Sequence, residues 1–249
     1  MNNGKRYGGE FLGTFLLVFF GVGSAIAARV EGGVVVVALA FGLTLLALTY
    51  TLAPASGCHV NPAVTLGALV SGKIGVNEAV RYWIAQVIGA VVASFLLWVL
   101  VRWGAVPDQS GVLGSSGYGD TINAGGAIVL ETVLTFFFVL VVLVVSSRVE
   151  NAGFAAIAIG TAFAACYLVA VALDGGSVNP ARSIGPALFE GGSTLAQLWV
   201  FVLFPLLGGL LAALALPLVG DGVGNGAGAG AGRGAPGEAP PHGDPRPGR

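Results

Sequence analysis

Five uncharged apolar stretches dominate the chain: Phe11 to Ala28, Val34 to Ala53, Tyr82 to Val101, Phe154 to Leu173 and Leu195 to Val219. Each approaches or exceeds the ~20 residues that a helix needs to cross the hydrocarbon of a bilayer. Runs such as Val34–Val37 and Leu140–Val145 lack the apolar–polar alternation of a membrane β-barrel strand, so the spans are helical. Only 9% of the 249 residues are charged and the mean hydropathy is +0.88. A soluble domain carries about 25% charged residues, and a soluble enzyme is excluded.

Six spans can be placed, at about 11–28, 33–53, 79–101, 125–147, 153–173 and 195–219. Lys5 and Arg6 precede the first, but further spans follow at once and no small-residue cleavage site is evident, so it reads as a retained helix. Two more apolar segments, Asn61 to Ser71 and Asn179 to Glu190, are too short to cross, and both begin with Asn-Pro. Short, Pro-interrupted segments at corresponding places point to a pore or binding site at the midplane.

The halves repeat. Ser-Gly-Cys-His-Val-Asn-Pro-Ala-Val at 56–64 matches Asp-Gly-Gly-Ser-Val-Asn-Pro-Ala-Arg at 174–182, an offset of 118. Upstream, Glu10 and Thr14-Phe15 answer Glu131 and Thr135-Phe136. The repeats cover about 8–102 and 125–219 of a channel domain at 1–220. Each holds three spans, an odd number, so the second half enters the membrane inverted. The expected fold class is an all-α membrane protein with six transmembrane helices and two re-entrant half-helices.

Positive charge orients the chain. With the N-terminus inside, Lys5, Arg6, Lys73, Arg81, Arg148, Arg233, Arg246 and Arg249 fall on the cytoplasmic side, against Arg29 and Arg102 outside. Both termini are therefore expected in the cytoplasm. Fifteen of the 29 residues at 221–249 are Gly or Pro, a composition that predicts a disordered tail. A net charge of −1 offers no footprint for nucleic acid. Cys58 and Cys166 lack metal-type spacing, so neither metal nor cofactor is expected.

Asn suits the N-cap and Pro the first helical position, so Asn61-Pro62-Ala63 and Asn179-Pro180-Ala181 each start a half-helix. Each Asn oxygen would cap its helix and leave the amide NH₂ free to donate outward. The preceding segments, Gly57–Val60 and Gly175–Val178, are expected to be extended and to line the pore with Gly57, Cys58, His59, Gly175 and Ser177. Inversion brings the two helix N-termini together, each with about half a positive charge. Such a site suits a neutral hydrogen-bonding solute and repels cations and protons.

These residues resemble the aquaporin, or major intrinsic protein, family, and the bacterial water channels within it. The likeness rests on both Asn-Pro-Ala motifs, the following Arg182 and the repeat, and spans about residues 8–219. It implies a pore within each subunit, a homotetramer in the plasma or inner membrane, and passive flow of water driven by osmotic gradients, with small neutral solutes such as glycerol as the alternative. It also implies a filter of Phe41, Tyr167, Gly176 and Arg182. Phe41 and Arg182 fit the water-selective pattern, while Tyr167 replaces the usual His. Gly176 adds no side chain opposite it, so pore width can be conserved; alternatively Tyr167 turns into the helix packing.

Intramembrane carboxylates are costly and functional by default. Glu10 and Glu131 are either proton carriers of a transporter or, as their symmetry favours, acceptors for the backbone N–H groups of the re-entrant loops. Arg182 either lines the pore or pairs with a carboxylate such as Asp174. Cys58, repeat-equivalent to Gly176, is expected to face the cytoplasmic pore mouth, where a bulky thiol reagent would block flow.

Overall fold

The computed structural model describes residues 3–28, 33–147 and 152–219. Among them are eight helices and no strand: α1 (Asn3–Ala27), α2 (Gly33–Ser56), α3 (Pro62–Val70), α4 (Val76–Arg102), α5 (Ala124–Val145), α6 (Ala152–Asp174), α7 (Pro180–Glu190) and α8 (Gly192–Val219). Six are long and apolar enough to cross a membrane, and the two short ones are the expected half-helices. Most run a few residues past the hydropathy boundaries: α1 begins at Asn3 rather than at 11, because its first turns are polar yet still helical. The 221–249 tail, Arg29 and Arg148 lie outside the described residues.

Packing follows the inverted repeat. α1 packs on α4 as α5 packs on α8, α4 meets α7 as α8 meets α3, and α2 and α6 cross each other on the pseudo-twofold axis. The half-helices touch there too. With lipid outside, helices gain little from apolar burial against each other, so small residues that allow close approach set the contacts. At the α2–α6 crossing, a Cβ on Gly42 would lie 2.5 Å from Ala164 Cβ, and one on Gly160 would lie 2.7 Å from the Gly42 carbonyl. The same device recurs in each half: Gly89 of α4 sits against the Phe11 carbonyl of α1, and Gly208 of α8 against the Thr132 carbonyl of α5. Outward faces stay apolar, as with Val35, Val36, Leu39 and Leu43 of α2 and Val129, Val133 and Phe137 of α5.

Candidate functional site

The half-helices begin at the expected asparagines. Asn61 and Asn179 are extended N-caps: Asn61 Oδ1 accepts from Ala63 N (2.8 Å), and Asn179 Oδ1 from Ala181 N (3.0 Å) and Arg182 N (3.3 Å), with Pro62 and Pro180 opening each helix. Neither amide NH₂ group is wholly free, contrary to expectation. Asn61 Nδ2 donates to the Val178 carbonyl and Asn179 Nδ2 to the Val60 carbonyl, both at 2.9 Å. Each half thus braces the loop of the other, because inversion sets each cap beside the residue preceding the opposite one. One hydrogen of each NH₂ remains for a solute.

The loops before the caps are also not extended. Gly57, Cys58 and Val60 have φ of 86°, 52° and 43°, and Gly175, Gly176 and Val178 have 81°, 71° and 56°. A β-branched residue in this left-handed region is a genuine outlier that costs about 1–3 kcal/mol. The physical reason is a carboxylate on each loop's inner side. Alternating backbone signs turn successive N–H groups to one side, forming a concavity for an anion. Glu10 Oε1 accepts from His59 N (2.9 Å) and Oε2 from Val60 N (2.7 Å), while Glu131 Oε1 and Oε2 accept from Ser177 N (2.9 Å) and Val178 N (2.7 Å). Both glutamates are fully buried, so their place is against the loop backbone.

The four residues expected to form the filter come together. The Phe41 and Tyr167 rings stack with centroids 3.9 Å apart, and the Arg182 guanidinium carbon lies 5.3 Å above the Phe41 ring. A Cβ on Gly176 would come within 3.1 Å of the Tyr167 ring, so the missing side chain makes room for the tyrosine. The Tyr167 hydroxyl donates to the Ser177 carbonyl at 2.9 Å, which turns the ring toward the loop rather than into distant helix packing. Arg182 donates from its two terminal nitrogens to Ser116 Oγ (3.2 Å) and the Gly175 carbonyl (3.3 Å); its Nε has no partner among the described residues. No ion pair joins it to Asp174 among the described residues. Phe41, Tyr167 and Arg182 are each fully buried.

The remaining sequence candidates have quieter places. The His59 ring meets Thr65 Oγ1 at 3.2 Å and sits edge-on to Tyr82. Cys58 is only 7% exposed, which leaves a bulky reagent little to reach.

Several contributors were not evident in the sequence. Gln86 of α4 donates to Glu10 Oε2 (2.7 Å) and to Thr65 (2.9 Å), and Ser56 donates to Glu10 Oε1 (2.7 Å). Ser116 comes from the loop between α4 and α5, whose Gly117 N–H reaches the Asp174 carbonyl and whose Tyr118 backbone is held by Gln197 of α8. Ser183 joins Ser116 to Ser177. A lone polar residue in an apolar run, such as Gln86, was the only signal available for these.

Comparison with known proteins agrees with this geometry. Residues 1–216 match the model of the family described as Major intrinsic protein. The chain is 43% identical over 217 residues to an Aquaporin Z of Rhodopseudomonas palustris, covering 84% of this chain and 90% of that one. It is also 43% identical over 218 residues to the glycerol uptake facilitator protein-like 6 of Lactiplantibacillus plantarum, covering 87% and 99%. Among solved structures, the aquaglyceroporin from Plasmodium falciparum superposes with a TM-score of 0.77 at 23% identity, over 88% of this chain and 97% of that one.

Proposed function

The chain belongs to the major intrinsic protein family, and from that membership we propose that it is a water-selective pore driven by osmotic gradients. As a member it is a passive channel in a membrane and not an enzyme. The observation that carries water selectivity is the filter: the Tyr167 ring lies flat on Phe41 at 3.9 Å and fills the space that Gly176 leaves. A three-carbon polyol would have to part the stacked rings, whereas water needs only the remaining amide hydrogens, the Arg182 Nε donor and the carbonyls of the strained loops.

The field opposes ions. Two helix N-termini and the Arg182 guanidinium place positive potential along the path, a barrier to protons and cations. The names of relatives include both an Aquaporin Z and a glycerol facilitator-like protein, so a glycerol pore is the second reading. The exposed apolar faces of α2 and α5 suit contact with lipid and with copies of the chain in a homotetramer. The excess of Lys and Arg on one side supports an inner- or plasma-membrane channel with both termini in the cytoplasm.

Glycerol re-swelling of proteoliposomes, compared between the wild type and Tyr167→Ala, tests the selectivity. The wild type re-swells no faster than bare lipid and the variant re-swells quickly. Rapid re-swelling of the wild type would transfer the assignment to glycerol.

A further inference from the structure

The pseudo-twofold axis exchanges Ser56 with Asp174, and the two residues end α2 and α6 at the same point of each half. Ser56 Oγ accepts from Cys58 N, two residues on, at 3.1 Å, and donates its hydrogen to Glu10 Oε1 at 2.7 Å. Asp174 reproduces the first bond, since Oδ1 accepts from Gly176 N at 2.9 Å. Successive amides of the loop, Gly176 N and Ser177 N, point at Asp174 Oδ1 and Glu131 Oε1, each at 2.9 Å, so the two carboxyls stand side by side as Ser56 and Glu10 do on Cys58 N and His59 N. Yet Asp174 Oδ2 finds no donor among the described residues, in a side chain only 3% exposed.

Glu131 has the complementary shortage. Glu10 accepts four hydrogen bonds, from Ser56, His59, Val60 and Gln86. Glu131, equally buried, accepts two, from Ser177 and Val178. Two adjacent carboxylates cannot both ionise in such surroundings; one proton held between them resolves the clash.

We propose that Asp174 carries a proton in the working channel and donates it through Oδ2 in a hydrogen bond to Glu131, so that filter support in the second half depends on protonation. Ser56 does the same work in the first half with a hydrogen that never titrates. Asp174 is thus a positioning residue: its loop presents the Gly175 carbonyl to Arg182 and the Ser177 carbonyl to Tyr167. When alkali strips the proton to solvent, two negative charges face each other and the loop that aims Arg182 loosens.

The groups around Asp174 are few. Glu131 comes from α5 and Arg182 from α7, and Glu131 is itself faced by Tyr167 and Cys166 of α6. The outer loop brings serine hydroxyls and backbone, Asp108 being bound within its own turn, and α8 has no titratable side chain.

The proton can be read directly, whatever solute the pore conducts, so failure of the water assignment would leave this test intact. Infrared spectra of the reconstituted full chain should show a protonated-carboxyl stretch at neutral pH. It should move when aspartate side chains carry carbon-13, vanish in alkali, and be absent from Asp174→Asn and Asp174→Ser. Asn and Ser each keep both hydrogen bonds without a titratable proton. In parallel, wild-type permeability should drop about fivefold in the alkaline range, the population shift that one ordinary hydrogen bond governs, while both variants lose that drop. No carboxyl band in the wild type, a band that survives in both variants, or an unchanged alkaline drop in them would overturn the proposal. The first of these would leave Asp174 ionised as a partner of Arg182 through solvent.

Discussion

Replacing Glu10 by glutamine keeps the side chain's shape and removes one acceptor. In the structure Oε1 receives Ser56 Oγ and His59 N, while Oε2 receives Val60 N and Gln86 Nε2. Whichever way the new amide is turned, its NH₂ faces one backbone N–H, of His59 or of Val60. The Ser56 hydroxyl can rotate to accept and the Gln86 amide can flip, but a backbone N–H cannot. One buried donor is therefore orphaned, at about 1–3 kcal/mol. The surviving bonds lose the assistance of the charge, which roughly halves them. Together the loss comes to about 3 kcal/mol, or a fall in midpoint of about 6–12 °C for a domain of this size. Thermal unfolding in detergent followed by tryptophan fluorescence measures it. Glu131→Gln should cost less, because the new NH₂ can donate to Asp174 Oδ2, so that Asp174 ionises and the bond survives without the shared proton. A Glu10→Gln protein that melts with the wild type and only changes its response to a proton gradient would refute the scaffold argument and make Glu10 a proton carrier.

Asn179→Ala removes both the cap of α7 and the brace to the Val60 carbonyl; about 2–4 kcal/mol of stability should go with them, and osmotic shrinkage of proteoliposomes should slow. Gly42→Val places a branched side chain where even a Cβ is 2.5 Å from Ala164, and about 1–3 kcal/mol of overpacking should appear as a lower melting midpoint. Partial desolvation pulls the Lys73 ammonium, which donates to the Leu143 carbonyl, below its ordinary value. The folded protein then binds that proton less tightly than the unfolded chain does, so stability rises with pH through the range where Lys73 discharges. Lys73→Met should flatten that part of the pH–stability curve.

Much of the fold was legible because a bilayer demands it. Six spans and two short segments follow from run lengths, and the inversion follows from an odd number of spans per repeat. The caps were legible too, since Asn-Pro has one favourable place at a helix start. What stayed hidden was the loop conformation. Nothing local in Cys58-His59-Val60 or Gly176-Ser177-Val178 asks for left-handed valines; that shape comes from Glu10 and Glu131, which lie about 50 residues upstream and bind two successive N–H groups each. For the same reason the Asn amides were expected to be free: each acceptor carbonyl sits in the other half of the chain, 117 or 119 residues away. Ser116 was equally invisible, being brought to Arg182 by a loop whose course depends on Gly117 and Tyr118 finding partners on α6 and α8.

A pore of the proposed kind passes water while its helix N-termini and Arg182 hold back protons. Stopped-flow light scattering of proteoliposomes loaded with a pH-sensitive dye reads both fluxes in one sample. The expected result is rapid osmotic shrinkage in an impermeant osmolyte, well above bare lipid, and a dye signal under an imposed pH gradient no faster than bare lipid gives. Proton entry that tracks the protein, or shrinkage no faster than empty vesicles, would contradict it.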